Sequence, residues 1–63
     1  MGHKNEYRKA LIDSIIKIRK DINALRDIEI DYGAARGFLW SSSNAVLHDI
    51  CVYFLKERNI EQN

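Results

Sequence analysis

Leu11, Ile15, Ile18, Ile22 and Leu25 recur at steps of four, three, four and three residues. Apolar residues at that spacing return to one side of an α-helix, the a and d positions of a heptad repeat, and need a partner surface to cover them. Nothing in the stretch interrupts a helix, because the chain has no Pro and its glycines lie elsewhere. Asp13 and Lys17 stand four apart, as do Lys17 and Asp21, so the opposite face is charged in both signs and suited to water. Ile12 and Ile16 broaden the stripe beyond a two-stranded seam. That width predicts a bundle with several neighbours rather than a rod.

The length bounds the rest. A chain of 63 residues is read as one domain, residues 1–63. Domains near this size bury only about 60% of the surface their unfolded chains expose, and disulfides, metals or association commonly make up the difference. Cys51 is the only cysteine, so no internal disulfide forms. Association is left. The predicted oligomer interface joins Leu11, Ile15, Ile18, Ile22 and Leu25 to Leu47, Ile50 and Phe54 of a second helix, in a homodimer or a higher oligomer.

Formal charge is +1, but it divides unevenly: +3 up to Asp27 and −2 from Ile28 onward. Such opposite signs suit helices packed side by side and are too mild to single out nucleic acid. The N-terminus has no apolar signal-peptide core. The longest apolar run, Ile50 to Leu55, is six residues, against the roughly 20 that a spanning helix needs. A cytoplasmic protein without membrane contact is expected.

Along the chain, helix one is expected from Glu6 onward. Its seam fails at Glu29, and Ile28 to Tyr32 alternates apolar and polar as a strand would. A lone strand of five residues has no partner, so this segment is read as the last turns of helix one, closed by Gly33 as its left-handed terminal residue. The connection that follows is long for a helical hairpin, and Ala34 to Arg36 have room for a short third helix. Phe38, Leu39 and Trp40 are three large apolar residues in a row. At least two are expected to pack over the end of the bundle. The same trio is the candidate partner-binding anchor. Ser41, Ser42, Ser43 and Asn44 are successive N-cap candidates for the second main helix, whose apolar face is Leu47, Ile50, Cys51, Phe54 and Leu55. The predicted fold is all-α: two main helices and a structured linker, assembled into an oligomeric helical bundle.

Catalytic chemistry has little to stand on. His48 and Cys51, three apart, could share a metal, but zinc needs three or four ligands and the other histidine, His3, is remote. The pair lacks the orienting group and oxyanion site of a nucleophilic centre. No enzyme, metal or cofactor is therefore expected. Arg8, Arg19 and Arg26 border the seam. They could track phosphates, but interleaved acids favour flanking charges whose stems cover the apolar stripe. Nucleic-acid binding stays as the second reading.

The order of a basic heptad helix (GHKNEYRKALIDSIIKIRKDINALRDIEI), an aromatic linker (YGAARGFLWSSS) and a second apolar helix (NAVLHDICVYFLKER) resembles the small open-reading-frame products of the exo–xis early region of lambdoid bacteriophages. That resemblance implies an all-helical, oligomeric early protein in the cytoplasm of the bacterial host. It also implies modulation of host physiology, or of the lytic–lysogenic choice, through a host protein. It implies no catalytic residue. The chain is similar in architecture alone to the Rop-type RNA-binding helical hairpins, whose turn is tighter, and shared architecture does not carry function.

Overall fold

The computed structural model describes the backbone of residues 3–62 and the side chains of residues 5–60. It is all-helical among those residues, with α1 over His3–Leu25, α2 over Tyr32–Trp40 and α3 over Asn44–Gln62. The short third helix is present as α2. Helix one starts earlier than expected and ends seven residues before Tyr32.

The end of α1 is set by its closing hydrogen bonds. Asp27 takes the left-handed conformation, with φ 57°. Ile28 N donates to the Asn23 carbonyl at 2.8 Å and Asp27 N to the Ala24 carbonyl at 3.3 Å. These are the paired bonds of a Schellman turn, with Asp27 where glycine is usual. Gly33 does not close the helix. It lies inside α2, where Asp31 is the N-cap and its carboxylate accepts from Ala34 N at 3.1 Å. Residues 28–31 are therefore irregular backbone between two caps. α3 begins where its serines predict: Ser43 Oγ accepts from Val46 N at 3.3 Å, and the Ser43 carbonyl accepts from Leu47 N at 2.9 Å.

The chain runs up, down and up. α2 returns along α1, with Tyr32 beside Asn23, Arg36 beside Asp13 and Trp40 beside Arg8. α3 then runs parallel to α1: Asn44 meets Arg8 near the start, while Glu57 and Arg58 meet Arg26 and Asp21 near the end. Both α2 and α3 pack on α1 and barely touch each other.

The core lies where the three meet: Ile12, Ile15 and Ile16 of α1, Leu39 of α2 and Leu47 of α3. Ile18 and Ile22 are also buried. At about 100° per residue, the buried positions of α1 span an arc of roughly 160°, much wider than a coiled-coil seam. α2 covers one flank of that arc and α3 the other. Ile12 and Ile16, expected at the margin, sit at the centre of the core, and Leu25 at the end of the expected seam is 56% exposed. Ile15, Ile18, Ile22 and Leu47 are thus covered within one chain, Leu11, Ile50 and Phe54 are half-buried, and none of them needs a second copy for its burial.

Asn23 is the one buried polar residue among those described, and its Nδ2 donates to the Tyr32 hydroxyl at 3.1 Å. A buried amide left unpaired would be costly, so this bond ties the start of α2 to the end of α1.

Candidate functional site

Because α2 and α3 lean on opposite flanks of α1, an open groove of about 480 Å³ runs between them. Ile15 and Arg19 of α1 form its floor. Ala35, Phe38 and Leu39 of α2 form one wall, and Asp49, Ile50, Tyr53 and Phe54 of α3 the other. The lining is mostly apolar. Phe38 is 71% exposed and Tyr53 59%, so one large ring projects from each wall. Tyr53 packs edge-on against Phe54, with ring centres 5.5 Å apart, and holds that wall in shape.

The aromatic trio of the linker divides. Only Leu39 is buried, at 6% exposed. At least two of the three were expected to pack over the end of the bundle, but a nine-residue helix resting on α1 by one face turns the neighbours of Leu39 outward. Phe38 points to the groove. Trp40 is 41% exposed and lies under the Arg8 guanidinium, 5.6 Å from ring centre to Cζ.

Arg8 and Arg19 lie along the middle of the buried arc of α1, not at its border, and the exposed Arg26 follows the last residue of the helix. Arg8 donates to the Trp40 carbonyl at 2.7 Å and to Asn44 Oδ1 at 2.8 Å. It thereby satisfies an orphan carbonyl at the end of α2 and fixes the start of α3. Arg26 pairs with Glu57 at 3.3 Å. Arg19 stacks on the Phe54 ring at 5.7 Å and has its head in the groove. Two of the three heads are therefore held by the chain itself, and an evenly spaced row facing outward does not form.

Around α2 the fastenings are ionic and polar. Arg36 pairs closely with Asp13, which also accepts from Lys9 at 3.1 Å. The Arg36 hydrogen bond, with help from Lys9, holds the Asp13 carboxyl below its ordinary value of 3.8. Lys20 Nζ sits 5.2 Å from the centre of the Tyr32 ring.

His48 and Cys51 do not converge. His48 is exposed, its Nδ1 4.0 Å from the still more exposed Asp49 carboxylate, and Cys51 is half-buried against the core. No group of three His, Cys, Asp or Glu is placed to hold a metal among the described residues, and the side chain of His3 lies outside them. No described helix is long and apolar enough to cross a membrane. Sequence reasoning missed Tyr53 and Ala35 as groove residues. The signal for Tyr53 was its place beside Phe54, a second ring just off the apolar face of α3.

Comparison with family models, curated proteins and solved structures finds no match to this chain.

Proposed function

We propose that the chain is a non-enzymatic protein–protein interaction module, and that the groove between α2 and α3 is its docking surface. One observation carries the reading: two large rings, Phe38 and Tyr53, stand exposed on facing walls of an apolar groove. Large rings beside a concave apolar floor are the usual anchors of protein recognition, and their exposure costs the free chain solubility. The resemblance to exo–xis early products supports a bacterial host protein as the partner and modulation of host physiology as the outcome. Self-association belongs to the same proposal and is supported by the exposed apolar residues of α3, Val46, Val52, Leu55 and Ile60.

The test is an affinity pull-down from bacterial lysate with the native chain and a Phe38→Ala/Tyr53→Ala variant in parallel. Both residues lie mostly in water, so the variant keeps the fold. A protein enriched by the native chain and lost with the variant is the expected result. Equal enrichment by both, or none by either, refutes the reading.

A further inference from the structure

We infer that α2 is a lid, which lifts from α1 as a unit while α1 and α3 stay paired. Three observations converge on it. The first is how little of α2 is buried: of nine residues Leu39 alone is buried, and Tyr32, Ala35 and Arg36 are half-buried. Tyr32 and Ala35 pack against the core beside Leu39, and Asn23 Nδ2 donates to the Tyr32 hydroxyl. The other fastenings are polar and near the surface, namely Arg36 to Asp13, Lys20 over Tyr32 and Arg8 to the Trp40 carbonyl. Exposed contacts of this kind hold weakly and are screened by salt.

The second is the composition of the helix. Nine residues are too few for a helix to persist alone in water, and two of these nine are glycine. Gly33 has a local reason, since an added Cβ would lie 3.2 Å from the capping carboxylate of Asp31. Gly37 has none. Its φ is not positive and a Cβ there would meet nothing within 4 Å. A residue that packing does not require, and that weakens a helix interior, keeps α2 close to the margin of stability.

The third is that α1 and α3 hold together without it. Ile18 and Ile22 are buried outside the cluster that contains Leu39, and Asp21 to Arg58 and Arg26 to Glu57 join the two long helices directly. Residues 26–31 and 41–43 flank α2 as irregular connections on which it turns. Lifting α2 uncovers Ile12 and Ile16 beside Ile15, and the groove floor becomes one broad apolar trough. On the interaction reading above, a partner that seats on this trough binds the open form and draws the population toward it.

Amide hydrogen exchange of the full chain, read residue by residue by NMR, tests the lid with no partner present. A failed pull-down and a failed lid are therefore separate results. Amides 36–40 are expected to exchange at least tenfold faster than amides 15–22, relative to their intrinsic rates and with little dependence on denaturant. Gly37→Ala is expected to slow exchange at 36–40 about fivefold and to leave 15–22 unchanged. Equal protection and equal denaturant dependence in the two segments would overturn the lid, because α2 would then open only with the whole chain. So would unprotected amides throughout α2, which would mean that it never docks, or a Gly37→Ala variant that shifts both segments alike.

Discussion

Asp27 is the sharpest point at which to test the fold, because a single torsion angle there ends α1. Its φ of 57° places an L residue in the left-handed region, where most residues pay about 1–2 kcal/mol and Asp somewhat less through local hydrogen bonding. Glycine pays none of this, but loses more freedom on folding, by roughly 0.5–1 kcal/mol. Asp27 also follows the C-terminal end of α1, the negative end of the helix dipole, where an exposed carboxylate is unfavourable by a few tenths of a kcal/mol. Together these terms make Asp27→Gly more stable by roughly 0.5–1 kcal/mol, a rise in melting temperature of about 3–8 °C for a domain of this size. Asp27→Asn keeps the tolerance for the left-handed region and removes the charge, so it gains a few tenths of a kcal/mol. Asp27→Ala has neither advantage of glycine nor the local bonding of Asp, and falls below the native chain. Thermal and urea unfolding of the three variants give the order Gly, Asn, native, Ala. Glycine no more stable than alanine would refute the reasoning, since residue 27 would then lack the left-handed conformation and α1 would end elsewhere.

Two other outcomes follow from the packing. The Asp13 carboxyl, held below 3.8 by Arg36 and Lys9, contributes stability that is intact above the ordinary carboxylate range and lost as pH falls through its depressed value. An acid titration followed by circular dichroism should show this loss in the native chain and not in Asp13→Asn; identical acid limbs would count against the pair. Ile18 is buried and shares a hollow with Lys17, Cys51, Leu55 and Arg58. Arg58 offsets only part of the desolvation of a carboxylate placed there, so Ile18→Asp should cost about 3 kcal/mol or more. The whole stability of such a chain is roughly 3–9 kcal/mol, and the variant should lose its helical circular dichroism. A folded, well-dispersed NMR spectrum from it would show that Ile18 does not face the core.

The heptad spacing located the wall of the core, because Ile15, Ile18 and Ile22 are buried wherever their partners come from. Periodicity reports which face is covered and says nothing of whose helices cover it. A stripe wide enough for two neighbours found them within its own chain. The serines before Asn44 were legible because a side-chain cap is a local bond, made within three residues. The end of α1 was hidden for the opposite reason. A left-handed Asp carries no compositional mark, whereas Gly33 does and misdirected the boundary. The aromatic trio showed its hydrophobicity, but a three-residue run passes around a helix, and which member points inward depends on the rotation of α2 on α1. That rotation is fixed by Asn23 with Tyr32 and Asp13 with Arg36, pairs nine and 23 residues apart that no local pattern contains.

The parallel course of α1 and α3 bears on how the chain folds. Their direct fastenings join residues 36, 31 and 37 positions apart, about half the length of the chain. Small helical proteins fold quickly when their contacts are local, and a two-helix hairpin would have that advantage. Here the two longest helices meet only after a wide excursion has been closed. The loop between α1 and α2 is short, but the contacts it brings together are few, so the pairing that carries most of the packing is the one that closes the longest stretch of chain. A chain of this size and helix content should therefore fold more slowly than a hairpin of its two long helices.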